Sequence, residues 1–501
     1  MYKVFSIALA ATLFQAAYAD TQTNNPQATK DSISQESHND KALIPEAKPA
    51  DNTLKDIITK AKVSGFGFAR FFTINGFDNI GQNGQSQQYR IKLDVTSGKV
   101  YGFSATAGIF FSQGSSTPDV GNNTDSAVYG GRGTAFTDNF SDRFNISQIF
   151  ASKEFDINQI STKIDAGKIN ISSPLNDNKV DLGTGIVANV KHSIDGIGNF
   201  KYHASFYDSF NGDHLGYNIR NRKPMNGSTE LKDQKAAGIG IGNNLTLIGI
   251  DGDMMSKALQ FNAYVGNIYG FMDFLLYGEA KYNMKINDSM KLTFLAQTSM
   301  AALNGNPRLY LGYNGKSITS NFDTELQNAA KFRGLYNFQA KLSVDKLSIK
   351  AGFLGSFGDG YGTLLDYKGG IDVAGKIWNG NITATYEGLG MLGSGSFKGS
   401  SIYMPYITAE YGFKIPLKIG LDIAYVFGNT NMPELKVSPH GNSMQHATIG
   451  TQEFIWKANV LEITPQITYK FFDRLELSIL AGTLVGDINF FKTRSELKYT
   501  F

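Results

Sequence analysis

From about residue 60 to the last residue, apolar and polar side chains alternate with a period of two. Tyr89, Ile91, Leu93 and Val95 are interleaved with Arg90, Lys92 and Asp94. Ser97-Gly98-Lys99 turns the chain, and Tyr101, Phe103, Ala105, Ala107, Ile109 and Phe111 follow, separated by Gly102, Ser104, Thr106 and Gly108. Period two with a short turn between the runs predicts a β-hairpin with one apolar and one polar face. The unit recurs: Phe274 to Ile286 turns at Asn287-Asp288-Ser289 into Met290 to Ala296, and Phe338 to Val344 turns at Asp345-Lys346 into Leu347 to Phe353. Ile371, Val373 and Ile377 lead to Asn379-Gly380, a strong hairpin turn, and then to Ile382, Ala384 and Tyr386. Further hairpins turn at Ile415-Pro416 and Asp473-Arg474.

Tight turns alternate with long polar loops, at 112–143, 208–235, 302–333 and 428–452. A soluble sandwich has no reason to sort short and long connections to opposite ends, whereas a transmembrane β-barrel does, with short periplasmic turns and longer external loops. The strands are about ten residues long, as a tilted strand crossing a bilayer requires. Closure leaves no sheet edge in lipid. About twenty candidate strands can be counted, and an even number is expected. The fold class is therefore all-β, a single transmembrane antiparallel barrel of about 18 strands (range about 16 to 20) over 54–501. Phe, Tyr and Leu form an outward belt around a wet interior lined by Arg90, Lys92, Asp94, Lys163, Asp165, Glu279 and Lys281.

The ends of the chain fit this placement. Met1-Tyr2-Lys3, the apolar run Val4 to Phe14 and Ala17-Tyr18-Ala19 read as a secretory signal peptide over 1–19; an uncleaved anchor is the alternative. Residues 20–53 are rich in Gln, Asn, Ser, Asp and Lys and read as a disordered polar extension, with a turn or two of helix over 54–62. This lead is a tether, or a short plug or periplasmic contact. At the other end, Leu497, Tyr499 and Phe501 alternate with Glu496, Lys498 and Thr500, and a terminal aromatic on such a strand resembles the signal read by the barrel-assembly machinery.

Composition narrows the functions. The 501 residues include 47 Lys plus Arg against 44 Asp plus Glu, a formal charge of +3 without the clustered basic excess of a nucleic-acid binder. The absence of cysteine removes disulfides, zinc–thiolate sites and a Cys nucleophile. Gly388-Leu389-Gly390-Met391-Leu392-Gly393 matches a dinucleotide fingerprint in spelling but opens no helix, and His440 and His446 have no metal-binding spacing. Asp119, Asp125, Asp138 and Asp142 share a loop without ligand spacing. No cofactor is expected; a structural calcium ion at a loop is the one metal reading left open.

Three passages resemble the major outer membrane porin family of Campylobacter and Helicobacter: LKDIITKAKVSGFGFARFF (54–72), FNISQIFASKEF with STKIDAGKINISSPLND (144–177), and the region 238–283. The resemblance implies an 18-stranded barrel, a homotrimer in outer-membrane lipid and lipopolysaccharide, and passive diffusion of small hydrophilic solutes, often favouring cations. More distantly, the chain is similar to specific channels for amino acids or small organic acids. The long N-terminal extension and long loops depart from the family.

Porins narrow their channel with an inward loop, and by order along the chain the third external loop is 171–183. Its Asp177, Lys179 and Asp181 are the candidate constriction, facing Arg90, Lys92 and Lys163 across a transverse field with a weak cation preference. The bland reading is an ordinary external loop, with wall charges pairing as salt bridges. A non-enzymatic porin is the leading function. A surface adhesin using the long loops is the alternative from another class, and a phospholipase-like enzyme is third.

Overall fold

The computed structural model describes residues 54–76, 84–116, 144–179, 181–211, 244–269, 272–303, 330–365, 369–376, 395, 398–429, 432–433, 454–455, 459–487 and 489–501. The chain divides into two units, Met1–Ala50 and Asp51–Phe501, and every described residue belongs to the second. A short helix, α1 (Leu54–Thr59), precedes the sheet. The strands are β1 (Lys62–Gly76), β2 (Gly84–Thr96), β3 (Phe103–Ser116), β4 (Phe144–Ile157), β5 (Ile160–Asn170), β6 (Leu182–Ile194), β7 (Gly198–Asn211), β8 (Leu245–Met254), β9 (Leu259–Ile268) and β10 (Met272–Lys285). They continue with β11 (Met290–Leu303), β12 (Phe332–Val344), β13 (Leu347–Gly358), β14 (Tyr403–Gly412), β15 (Leu417–Val426), the two-residue pair β16 (Met432–Pro433) and β17 (Phe454–Ile455), β18 (Val460–Phe472), β19 (Leu475–Gly486) and β20 (Phe490–Thr500).

All but β16 and β17 form one 18-stranded antiparallel sheet in which each strand pairs with its neighbour in sequence. β1 pairs with both β2 and β20, as at Phe68↔Arg90 and Phe68↔Lys498, so the sheet closes into a barrel. Every ladder group then finds its partner inside the protein, which a bilayer demands of any spanning structure.

Connections at one end of the barrel run from two to six residues. Asn287 shows how they are made: its Oδ1 accepts from the backbone N–H of Ser289 at 3.0 Å and of Met290 at 2.8 Å. α1 lies at this end, where Ile57 O accepts from Gly98 N–H at 2.9 Å. The other end carries the long loops, including the third, L3 (171–181), and the seventh, L7 (359–402). Two connections there, 269–271 and 487–489, have three residues each and fall within the range of the turns, so segregation by length is incomplete. The first strand of the hairpin expected at Ile371 and Val373 does not form: residues 371–376 lie in L7 and pair with no strand, and the rest, with Asn379-Gly380, lies outside the described residues. Ile371 and Val373 are buried on either side of an exposed Asp372. Period two reports extended backbone between two environments, and L7 supplies both without a ladder.

Register carries side-chain parity around the barrel. Ile91, Ile149, Phe338, Ile407, Ile467 and Leu497 point outward and are exposed in the isolated chain, as a lipid-facing belt requires. The opposite parity points into the lumen. Bulges alter it locally; in one of them the β3–β4 register shifts between Ala107 and Ile109, which lets both Ser147 and Gln148 be buried. Ser147 Oγ then donates to Asp94 Oδ1 at 2.8 Å, and Gln148 Oε1 accepts from Asn170 N–H at 3.1 Å.

The interior is not uniformly wet. L3 contributes Ile171 and Leu175, and L7 contributes Tyr361, Leu364, Leu365, Ile371 and Val373, to one buried apolar cluster against lumen-facing Tyr207, Leu247, Tyr264, Leu335, Leu354 and Met404. The expectation of an apolar belt turned wholly outward is corrected here. Folding the loops inward gives this arc of the wall apolar partners in place of water.

Candidate functional site: a lumen narrowed by two loops

L3 and L7 meet inside the barrel. Leu365 N–H donates to Leu175 O at 2.7 Å, and Gly370 N–H donates to Pro174 O at 2.6 Å. The junction is fixed to the wall through Gln297, which is 3 % exposed. Its Nε2 donates toward Tyr277 Oη (2.9 Å), Glu279 Oε2 (2.6 Å) and Gly370 O (2.8 Å), and its Oε1 accepts from Asn337 Nδ2 (2.8 Å) and Asp372 N–H (2.9 Å). Tyr277 Oη also lies 2.9 Å from Gly370 O. A Cβ on Gly370 would sit 2.7 Å from that hydroxyl and 2.9 Å from Pro174 Cβ, so only glycine brings L3, L7 and β10 this close.

Beyond the junction L7 is held by charge. Lys350 Nζ donates to Asp372 Oδ1 at 2.8 Å and Gln339 Nε2 to Asp372 Oδ2 at 2.9 Å. Partial desolvation inside the barrel would raise the Asp372 carboxyl, but the Lys350 charge and hydrogen bond, the Gln339 bond and the Lys376 charge outweigh it and hold the group below the usual carboxylate range. Lys376 Nζ lies 3.3 Å from Asp422 Oδ2, and its backbone N–H donates to Glu462 Oε1 at 2.5 Å. Glu462 is fully buried and also accepts from Thr464 Oγ1 at 2.8 Å.

L3 is inside the lumen, bonded to the β2 wall: Lys92 Nζ donates to Asn170 Oδ1 and to Lys179 O, both at 2.9 Å, and lies 3.6 Å from Asp94 Oδ2. Within the loop the three candidate residues do different work. Asp181 Oδ2 accepts from Asp177 N–H at 2.9 Å, Asp177 Oδ1 accepts from Lys179 N–H at 3.0 Å, and Asp181 N–H donates to Asp177 O at 2.9 Å. The two carboxylates are 4 % and 2 % exposed and shape the turn, whereas Lys179 is exposed. The wall candidates all have lumen parity. Arg90 sits with its guanidinium 5.7 Å from the Phe68 ring centre and 5.2 Å from that of Phe110. Lys163 pairs with Asp165 at 3.0 Å along one strand. Glu279 belongs to the Gln297 junction, and Lys281, half-buried, follows it two residues along β10.

Reading the sequence missed the charges on the closing strand. Arg70 is paired across the β1–β20 seam with Glu496, to which it donates through both Nε and Nη2. Arg494 and Lys498 occupy the lumen positions on either side of Glu496. The signal was present, since Lys492, Arg494, Glu496 and Lys498 fall on one parity. The outward parity of the same strand carries Leu497 and Tyr499, and the terminal Phe501 donates its N–H to Gly65 O at 3.0 Å and packs edge-on to Tyr499 with ring centres 5.1 Å apart. The loops at 117–143, 212–243 and 434–453, and with them Asp119, Asp125, Asp138, Asp142, His440 and His446, lie outside the described residues, as does Gly388 to Gly393.

Comparison with known proteins places this geometry. No curated protein matches the chain in sequence. Among solved structures, Pseudomonas aeruginosa OccK9 (OpdG) superposes with a TM-score of 0.53 at 11 % identity, covering 89 % of this chain and 99 % of that one. Pseudomonas aeruginosa OpdQ follows at 0.52 and 12 %, covering 89 % and 99 %. Acinetobacter baumannii OccAB2 gives 0.51 and 13 % with the same coverage. At such identities the likeness is one of fold, a closed 18-strand antiparallel barrel. The sequence evidence comes from a family profile, described as Campylobacter major outer membrane protein, which matches residues 42–485 and so spans every strand through β18 and nearly all of β19. With the closed barrel, the lipid-facing belt and the inward loops in place, that match makes the chain a member of the Campylobacter major outer membrane protein family, an outer-membrane porin.

Proposed function

We propose that the barrel is a water-filled channel for passive diffusion of small hydrophilic solutes and ions, with no enzymatic chemistry of its own. The observation that carries this reading is the lumen: one parity through eighteen strands faces a passage that L3 and L7 narrow and that charged side chains line. Purified protein in a planar bilayer is expected to give stable ohmic conductance; protein that inserts and stays silent would refute the proposal.

The finer expectations follow from the family. The protein acts as a homotrimer in lipid and lipopolysaccharide, after loss of residues 1–19, and the assembly machinery reads Leu497, Tyr499 and Phe501. On selectivity, Asp177 and Asp181 give little support for a cation preference, because their oxygens bond the backbone of their own loop. We read the constriction as bipolar: Arg70, Arg494, Lys498 and Lys179 on one stretch of the wall and L3, and Asp372 and Asp422 with their lysine partners Lys350 and Lys376 on another. Such a field orients a solute that carries both signs of charge.

A further inference from the structure

Phe66 and Phe68 do not fit the pattern of the wall. They take consecutive lumen positions on β1, where the opposite parity faces lipid, yet they stand outside the apolar cluster that L3 and L7 bury. Both are half-buried, and their rings are parallel to within 3° with centres 6.2 Å apart. Cations surround them: Arg70 lies 4.3 Å from the Phe68 ring centre and Lys498 5.9 Å from that of Phe66. Register puts these groups at one level, since Phe68 is paired with Lys498 on one side and with Arg90 on the other.

The charge beside this shelf is unbalanced. Glu496 is taken by Arg70. Among the described residues, Lys179, Arg494 and Lys498 have no ion-pair partner, and Arg494 Nε is buried with no hydrogen-bond partner. Arg70 repels Arg494, and Lys179 and Arg70 repel Lys498, against the attraction of Glu496 on both and of Glu476 on Lys498. A wall needing only solubility would have no use for this. Lys498 stands beside the rings, and Arg494 follows beyond Glu496 on the same lumen face of β20, opposite Phe72; an ammonium and a guanidinium fork in line with two ring faces match a planar anionic head joined to an apolar body.

We propose that the constriction contains a binding recess for small carboxylates with an apolar body, in which Arg494, Lys498 and Lys179 take the carboxylate and Phe66 and Phe68 take the body. The proposal rests on the channel reading above and adds a preferred solute class to it. The test is current block in planar bilayers at constant potassium chloride, with benzoate, acetate and benzylammonium as probes. Benzoate is expected to block at about tenfold lower concentration than acetate, the contribution of one aromatic contact, and benzylammonium not at all. The Arg494→Gln/Lys498→Gln double variant is expected to raise the half-blocking concentration of both carboxylates about tenfold or more. Phe68→Leu should narrow the gap between benzoate and acetate, and Lys285→Gln, a loss of equal charge at the rim, should leave block as it is. Equal block by benzoate and acetate in the unaltered protein, block by benzylammonium, or block indifferent to Arg494→Gln/Lys498→Gln would each overturn the recess while leaving the conducting channel standing. An absence of conductance in potassium chloride alone would remove the channel reading and the recess with it.

Discussion

Gln297 is the position at which the narrowing of the lumen can be undone with least damage to the barrel. Met is close to Gln in volume and keeps the β11 backbone, so Gln297→Met deletes the junction's hydrogen bonds without opening a cavity. Asp372 N–H loses its only acceptor among the described residues, and the Glu279 carboxylate loses its 2.6 Å donor. Gly370 O keeps Tyr277, and Asn337 Nδ2 keeps Asp372 O at 3.0 Å. A stripped, part-buried N–H and a lost bond to a charged oxygen together cost about 3 kcal/mol, which lowers the docked-to-released ratio of L7 by roughly two orders of magnitude. The apolar contacts of Leu364 and Leu365 still favour docking, so L7 is expected to come and go rather than leave for good. Single-channel recording should show fast transitions from the native conductance to a wider state, absent in the unaltered protein. A Gln297→Met channel as quiet and as narrow as the native one would refute the assignment of Gln297 as the clamp.

Lys179→Glu replaces the exposed charge of L3 and is expected to move the reversal potential toward cations in a salt gradient, whereas Asp177→Asn, which alters a turn-shaping carboxylate, is expected to move it little and lower thermal stability instead. Asp372 has a depressed carboxyl, so its share in holding L7 is complete above the unfolded value of about 3.9 and is lost as pH falls through the lower folded value. Gating noise should therefore be flat through neutral pH and rise only below about pH 4, and Asp372→Asn should be noisy at every pH. Gly108→Ala puts a Cβ 1.9 Å from Asp94 Oδ1 and 2.5 Å from Ser147 Oγ, which must displace Asp94 from Lys92. A loss of about 1–3 kcal/mol, read as a lower temperature for the heat-induced gel shift of the folded barrel, is the expected result.

Parity explains what could be read from the chain and what could not. The hairpins at Ser97 to Lys99, Asn287 to Ser289, Asp345-Lys346 and Asp473-Arg474 are where alternation and turn residues place them, because lipid on one side and water on the other impose period two on every strand. L3 was found by counting connections. L7 was not, since Ile371-Asp372-Val373 alternates as a strand does and differs only in lacking a neighbour, which no local pattern records. The junction at Gln297 was hidden for the same reason: Gln297, Tyr277 and Gly370 come together only after the barrel closes and L7 turns inward. Asp177 and Asp181 were recognised by charge, yet whether a loop carboxylate faces a solute or its own backbone depends on the turn it closes.

The wall, more than the loops, decides where the passage runs. Lumen positions from β7 to β15 include Tyr207, Leu245, Leu247, Tyr264, Leu335, Leu354 and Met404, whereas those from β20 through β1 to β5 include Arg494, Lys498, Arg70, Lys92 and Lys163. An apolar arc inside an open 18-strand barrel would face water along its length, a cost of about 25 cal/mol for each Å² left uncovered. L3 and L7 therefore settle their apolar residues, Leu175, Leu364, Leu365 and Ile371, against that arc. The charged arc meets L3 through a polar contact instead, Lys92 Nζ to Lys179 O at 2.9 Å. A loop of different sequence that kept those apolar positions would dock on the same side. Moving the passage would require changing the wall.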